Sequence, residues 1–412
     1  MGNPEGQTKK RHVPINLRQS GSREIQMLVS SRVRKSAFWH KSMEHGCWAA
    51  TVYNNMYHPR AYFPPEEDGL MGEYHYLTNH VTLWNVAVQR QIQIKGPDAL
   101  DFANLLVTRD LSKKAPVNQA RYVILCNEEG GIICDPVLLR IAEDEIWLSI
   151  SDSNVLLWAQ GVNYRLGYNV SINEIDVSPV QVQGPKSKPL MKKIFGDHID
   201  KLKYYKLWKT KLGDMDVVIS RTGWSAEVGY EIYLHDSTEH ADEFWDTFVE
   251  AGREFDLRVI APGHIRRIEA GILSYGQDMD IETNPFEVGL EWQLDFNKDD
   301  FIGKKALEAI KNEGIKRKLV GLKMGGKEIT WFNPDFWLVT DQDVSSTIGY
   351  ITSAFYSPKM ESNIALAMVP IEYAQEGTRL KAFIHSAEST EPVDAVVHRV
   401  PFFDPDKTLP AS

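Results

Sequence analysis

Cysteine is scarce in this 412-residue chain: Cys47, Cys126 and Cys134 are all it has, and no two form a C-x-x-C pair. That spacing excludes a disulfide framework and a cysteine-based zinc site, and points to reduced, buried thiols in a cytoplasmic protein. No apolar run is long enough to span a bilayer, so no membrane association is expected. The first residues, basic around Lys9, Lys10 and Arg11, lack the apolar stretch of a secretory signal and read as a loose tail. Asn169-Val170-Ser171 is therefore a glycosylation sequon without a secretory context. An excess of positive charge is also missing. Lys and Arg number 46 against 56 Asp and Glu, a formal net charge of −10, which removes any global electrostatic reason to bind nucleic acid. An anionic ligand would need a local basic pocket.

Several signatures are absent as well. There is no G-x-G-x-x-G, so no Rossmann site is signalled, and no H-E-x-x-H or G-x-S-x-G to indicate a zinc or serine hydrolase. Gly321-Leu322-Lys323-Met324-Gly325-Gly326-Lys327 mimics a phosphate loop, but Glu328 follows where Ser or Thr is needed, and the segment lies among strands. It is read as coincidence.

What is present is a repeated grammar. Gln91-Ile92-Gln93-Ile94 alternates like a strand, stops at Gly96-Pro97, and gives way to a helix with Leu100, Phe102, Leu105 and Leu106 on one face. Val180-Gln181-Val182-Gln183 does the same before Gly184-Pro185 and a helix from Leu190 to Phe195, which indicates two related α+β halves. Helices are expected over 24–38, 153–164, 241–255 and 263–275. After a Lys-rich stretch at 304–318, six short strands (319–324, 336–340, 346–350, 364–369, 379–384 and 393–400) indicate a small β-barrel or sandwich beginning near residue 312.

Acidic residues in glycine-rich or strand-end settings are the candidates for chemistry. Glu227 lies in R-T-G-W-S-A-E-V-G-Y-E-I (221–232), between Gly223 and Gly229. A carboxylate there is either an exposed hairpin residue or one facing a flat ligand that approaches the backbone, such as a ring with two neighbouring N–H donors. Asp135 ends the apolar run Ile132-Ile133-Cys134 and precedes Pro136, which keeps it out of helical geometry. It is either a satisfied strand-end carboxylate or a site residue. Arg266, Arg267 and Glu269 share one helical turn, so they form a structural ion pair or in part face an anion. The aromatics Tyr53, Tyr57, Trp84, Tyr122, Trp224, Trp331 and Phe332 either fill the core or hold an onium group by cation–π attraction.

The blocks I-Q-I-K-G-P-D-A-L (92–100), A-R-Y-V-I-L-C-N-E-E-G-G-I-I-C-D (120–135), V-Q-G-P-K (182–186), 221–232, R-I-E-A-G-I-L-S-Y-G-Q-D-M-D (267–280), T-N-P-F-E-V-G-L (283–290) and D-F-I-G-K-K-A-L (300–307) occur in order, with N-I-A-L-A-M-V-P (363–370) and P-F-F-D-P (401–405) beyond. This ordered set resembles the folate-dependent family of the glycine-cleavage aminomethyltransferase and the dimethylsulfoniopropionate demethylase. The resemblance implies an α+β, three-domain cloverleaf around a central folate channel. Its first two domains, 1–80 with 173–262 and 81–172 with 263–311, are interleaved, and 312–412 forms a β-barrel or jelly-roll-like domain. It implies tetrahydrofolate as cosubstrate, Glu227 on the pterin, and Asp135 near the reactive nitrogen with Tyr122 in the same wall; Tyr122 and Trp224 are expected to shape the cofactor pocket, and Arg266 or Arg267 to meet the folate tail. Arg109 is expected to meet a substrate carboxylate, with Tyr53, Tyr57 and Trp84 around the donor.

The aminomethyltransferase branch carries D-V-S-H-M where this chain has Asn85-Val86-Ala87-Val88-Gln89. Its G-A-R-D is replaced by Pro262-Gly263-His264-Ile265, so a ligand-facing arginine is missing. T-V-Y-N-x-M (51–56), T-R-D (108–110), I-S-D-S-N (150–154) and D-V-S-P (176–179) are instead similar to the demethylase branch. The expected reaction is methyl transfer from a small onium osmolyte to tetrahydrofolate. Aminomethyl transfer with a lipoyl carrier protein as partner is the alternative, and a non-catalytic folate-binding regulator or repair protein a further one.

Overall fold

The computed structural model describes residues 30–333, 335–384 and 391–412. Of the helix expected over 24–38, residues 24–29 lie outside the described residues. Residues 30–38 are turns joined to the next strand by a bridge from Arg34 to Met56, and the first helix is Trp39–Glu44. The sequence there has only a weakly apolar face, and its backbone is committed to the hairpin: Arg34 N donates to Asn55 O and Tyr57 N to Arg34 O.

Three sheets follow. A five-stranded antiparallel sheet runs in the order Ser171–Glu174, Gln91–Lys95, Glu145–Ser149, Val137–Ala142 and Gln119–Tyr122. A six-stranded sheet runs Leu207–Leu212, Met215–Ser220, Gly229–His235, Val177–Gln183, Thr82–Asn85 and Arg258–Val259, its last strand alone parallel to its neighbour. Each sheet thus draws on separated stretches of chain. Thr82–Asn85, which a division at residue 81 would separate from 173–262, pairs with Val177–Gln183, and Ser171–Glu174 crosses the 172/173 division to pair with Gln91–Lys95.

The two strand-Gly-Pro-helix repeats lie one in each of these sheets and lead into the helices Ala99–Leu106 and Ser187–Phe195. Both turn glycines are needed for the same reason. Gly96 has φ +147° and a Cβ there would lie 2.3 Å from Asn169 O; Gly184 has φ +118° and its Cβ would meet His80 O at 2.6 Å.

The third sheet closes on itself as a six-stranded barrel: Arg317–Met324, Ser362–Pro370, Thr347–Ser357, Trp337–Thr340, Arg379–Ala382 and Val393–His398. The strand-rich tail is therefore a barrel and not a sandwich. The phosphate-loop mimic begins inside its first strand, with Gly321 packed against Phe402. Two small hairpins complete the architecture, Ala49–Tyr53 with Met56–Ala61 and Leu125–Cys126 with Ile132–Cys134. Among the described residues, no helix is long and apolar enough to cross a membrane.

The helix expected over 263–275 is shorter, spanning only His264–Glu269. It stops because Gly271 takes φ +64° and packs where a Cβ would be 2.3 Å from Val400. All six residues of this helix are buried, charged ones included.

A second buried charge fixes the hairpin over the cavity. Glu73, on the helix Gly69–Asn79, accepts from Tyr62 N at 2.6 Å and Phe63 N at 3.0 Å through Oε1, and from Ala261 N at 2.9 Å through Oε2. Burial pushes its carboxyl up to about 7 against the pull of these donors. Glu73→Ala would strand three buried N–H groups. The expected cost is about 3–5 kcal/mol, read as a lower urea midpoint at unchanged slope. A loss below about 1 kcal/mol would show that water replaces the carboxylate.

Candidate active site

The sheets, the hairpin Ala49–Ala61 and the barrel enclose a cavity of about 680 Å³, within the size range of sites that engulf a cofactor-sized ligand. Its wall takes Tyr122, Asp135 and Ser151 from the region of the five-stranded sheet, Trp84, Gln181 and Trp224 from that of the six-stranded sheet, and Leu366 and Val397 from the barrel.

Asp135 is the most perturbed acid in this wall. Tyr122 and Val137 are cross-strand partners, which brings the Tyr122 ring over the residue that leads into the Val137 strand. Tyr122 Oη donates to Asp135 Oδ2 at 3.0 Å, while Oδ1 is buried with no hydrogen-bond partner. Burial pushes the carboxyl up to about 7, outweighing the pull of the nearby Ser151 and Tyr122 hydroxyls, of which Tyr122 alone makes a hydrogen bond to it. A buried acceptor without a donor is costly in the free protein and is met by a ligand N–H. Tyr275, also in the wall, is anchored by its hydroxyl to Ile132 O at 3.0 Å.

Tyr53, Trp84, Tyr122, Trp224 and Asp135 thus meet in one cavity, as expected. The other candidates do not. Glu227 is outside the wall, 8% exposed, with Oε1 accepting from Arg266 Nε at 2.7 Å. Its flanking glycines make room for a side chain instead of a ligand: a Cβ on Gly223 or Gly229 would lie 2.3 or 2.1 Å from the amide of Gln183. The expected pterin contact at Glu227 is therefore not available in this geometry. Arg266 and Arg267 are fully buried and committed, Arg266 to Glu227 and Glu269, Arg267 to Asp278 and Ser353. Neither reaches the cavity as a folate-tail residue. Arg109 donates to Tyr122 O at 3.2 Å and stacks 5.2 Å from the Trp292 ring, so it buttresses the wall from behind. Tyr57 faces away, its hydroxyl accepting from Ser30 N at 2.6 Å and its ring 5.2 Å from Trp39.

Strand alternation explains the last miss. On Met56–Ala61 the residues that line the cavity are His58 and Arg60, and Tyr57 points to the opposite face. His264 was missed too: it was read only as a lost arginine, yet it lines the wall with Arg60 Nη1 2.7 Å from its Nε2. Gln181 was a third omission. It has Trp84 and Glu231 as cross-strand neighbours, and its amide donates to Glu231 Oε1 at 2.8 Å. Glu231, buried and held also by Thr222, is the carboxylate of the 221–232 block that stands directly behind the wall.

Comparison with known proteins agrees with this architecture. Residues 38–298 match the GCVT N-terminal domain and residues 317–404 the glycine cleavage T-protein C-terminal barrel domain. The chain is 34% identical, over 88% of its own length and 96% of the relative's, to dimethylsulfoniopropionate demethylase DmdA of Ruegeria pomeroyi. It is 32% identical to the aminomethyltransferase of Caldanaerobacter subterraneus subsp. tengcongensis, over 81% of this chain and 88% of that one. The crystal structure of glycine cleavage system aminomethyltransferase T from Bartonella henselae superposes with a TM-score of 0.78 at 21% identity, covering 90% of this chain and 98% of that chain, and so shares the fold.

The strain at Asp135 has a measurable consequence. Its folded-state pKa, about 7, lies above its ordinary value of 3.8, so the folded protein loses stability as pH rises from about 4 through 7. Asp135→Asn never ionises. Relative to the native protein it should gain about 2–4 kcal/mol between pH 4 and pH 8, read from thermal or urea unfolding at both values. A difference independent of pH would show that Asp135 does not titrate in its buried setting.

Proposed function

Because the chain belongs to the glycine cleavage T-protein family, we propose that it moves a methyl group from a small onium osmolyte, such as dimethylsulfoniopropionate, to N5 of tetrahydrofolate. Tetrahydrofolate is the cosubstrate of this family. The residues present fit it: the cavity has the volume, and Asp135 Oδ1 is a buried acceptor that lacks a donor. That orphaned oxygen is the observation that carries the reading. Tetrahydrofolate, once bound, supplies the nucleophilic nitrogen that accepts the carbon unit and gives up a proton.

The chain's own residues then have separable tasks. Asp135, steered by the Tyr122 hydroxyl on Oδ2, offers Oδ1 as the acceptor for that proton and for the positive charge that develops with it. Tyr53 and Trp224 give an onium group π faces to lie against, and Trp84, fully buried, backs the wall from the core. Gln181, with Glu231 behind it, is the polar pair available to a pterin edge, in place of Glu227. Exclusion of water by the surrounding aromatic wall favours displacement at the methyl carbon over its hydrolysis.

The demethylase relative supports the onium donor, with 34% identity over most of both chains. Aminomethyl transfer within glycine cleavage, with a lipoyl carrier protein as partner, is a second reading, favoured by the relatives named aminomethyltransferase at 32% identity. A non-catalytic folate-binding protein is disfavoured by the retention of Asp135 with its free oxygen.

Incubation with tetrahydrofolate and dimethylsulfoniopropionate should yield 5-methyltetrahydrofolate. No product from a panel of sulfonium and quaternary ammonium donors would sink the proposal, and ammonia release from an aminomethylated lipoyl protein would establish the second reading. Asp135→Asn should lower turnover about 10²–10⁴-fold while folate affinity stays within about tenfold. For the native enzyme kcat/KM should rise with pH to a plateau above about 7, where the carboxyl is ionised; a flat profile across pH 6–8 would remove Asp135 as the acceptor.

A further inference from the structure

The hairpin strand Met56–Ala61 places Arg60 in the cavity wall with no carboxylate partner among the described residues. Its Nη1 lies 2.7 Å from His264 Nε2, and its guanidinium carbon stands 4.1 Å from the centre of the Phe332 ring. Neighbouring side chains supply no compensating charge. Arg267 is the nearest cation acting on it and is itself committed to Asp278. Burial holds His58 neutral, down at about 3, and pushes His264 well below its usual range, so His264 accepts from Arg60 as a neutral ring.

A guanidinium in this position is unusual. Arg60 is half-buried, and a guanidinium drawn partly out of water is normally paired, because an uncompensated charge there is costly. Burial and Arg267 bring Arg60 down only to about 9, so it is still charged at neutral pH. The stack on Phe332 and the bond to His264 fix its plane and leave the remaining N–H groups of the fork for an acceptor. A planar fork held in this way matches a carboxylate in two-point geometry. Its position in the cavity is also constrained. Tyr53 and His58, whose rings are 5.4 Å apart on the same hairpin, line the wall together with Arg60 and Asp135. The glutamate tail of a folate whose N5 lay at Asp135 would be separated from that nitrogen by its p-aminobenzoyl group. Lys318, Arg399 and Lys407, in the part of the wall contributed by the barrel and the segment after it, offer that tail cations of its own.

We propose that Arg60, oriented by His264 and Phe332, recognises a carboxylate on the methyl donor, so that the enzyme selects onium compounds bearing an acid group over those without one. The assignment rests on the methyl-transfer reading above and replaces Arg109 as the carboxylate partner. In it, the donor lies with its acid at Arg60 and its onium centre among the aromatic faces near Asp135.

Initial rates with dimethylsulfoniopropionate and with trimethylsulfonium, which lacks the acid, test the idea in the native enzyme, Arg60→Met and Arg60→Lys. The ratio of kcat/KM for the two donors should fall about 30-fold or more in Arg60→Met, mainly through KM, and recover in part in Arg60→Lys. The tetrahydrofolate dissociation constant should stay within about threefold, which also shows that the variant is folded; Arg60→Gln serves if the Met variant does not fold. An unchanged donor ratio overturns the proposal, as does a selective loss of folate affinity, which would give Arg60 to the cosubstrate. If the native enzyme transfers methyl from no onium donor, the parent reading fails by itself. Calorimetric binding of 3-(methylthio)propionate to the native protein and to Arg60→Met then decides Arg60 separately: weaker binding to the variant supports it, and equal or absent binding overturns it.

Discussion

The arrangement of this molecule depends on one short helix without a solvent face. His264–Glu269 has six residues, all buried, and three of them, Arg266, Arg267 and Glu269, are charged residue types. Charges out of water persist only when they are paired and hydrogen-bonded, and here most partners come from outside the helix, from separate parts of the chain. Arg266 holds Glu227 of the 221–232 block, and Arg267 holds Asp278 and barrel residue Ser353. Glu269 accepts from Tyr74 Oη at 3.0 Å and from barrel residue Ser357 Oγ at 2.6 Å, while its backbone carbonyl takes the N–H groups of Phe402 and Phe403. Asp278 extends the network to Thr352 and Ser353, each at 2.6 Å. An apolar helix could sit here in several rotations at similar energy. A helix with these charges has one, and that rotation sets where His264 and the Trp224 wall stand.

Two ionisable groups in the cavity wall stand in contrast to this helix. Asp135 keeps an orphaned oxygen and Arg60 has no counter-ion, and both line the same cavity. Natural proteins hold such costs where they serve binding or chemistry. Their coexistence also has a direction. A ligand with a group that gives up positive charge at one end and a carboxylate at the other would relieve both, whereas a neutral apolar ligand would deepen the cost. The Glu73 clamp serves the same end, because its three backbone bonds tie the residues just after Arg60 to the residue just before the Pro262–His264 turn.

Much of the fold could be read from the sequence because its signals are local. The two strand-Gly-Pro-helix units need glycine where the backbone meets Asn169 and His80, and alternation marks the barrel strands. Asp135 was legible for the same reason, since Pro136 and the end of an apolar run mark it without reference to distant residues. The failures share a different cause. At Glu227 the glycines reported a close approach correctly, but the approaching group is Gln183, a residue far away in sequence. Arg266 and Arg267 carry no sign in the sequence of whether their partner is a ligand or Glu227 and Asp278. The 263–275 helix ended early because Gly271 must accommodate Val400. In the hairpin, attention to aromatic residues favoured Tyr57, when period-two alternation puts His58 and Arg60 on the cavity side.

That hairpin is where the specificity of the chain is best sought. The loop Pro262–Ile265 lacks the arginine that the aminomethyltransferase pattern would supply, and by itself this looks like a lost anion site. The structure brings a guanidinium to the same loop from elsewhere: Arg60 reaches His264 from the strand Met56–Ala61, at 2.7 Å. A guanidinium therefore stands at this loop although residues 262–265 carry none of their own. A histidine in the old position suits the new arrangement, since as a neutral ring it accepts from Arg60, where a second arginine would repel it. Substitution of one residue alone would then fail in either direction. Restoring an arginine to the loop would set two buried cations against each other, and removing Arg60 would leave His264 without its donor. On the assignment proposed above, selection of the donor rests on Arg60 and His264 together.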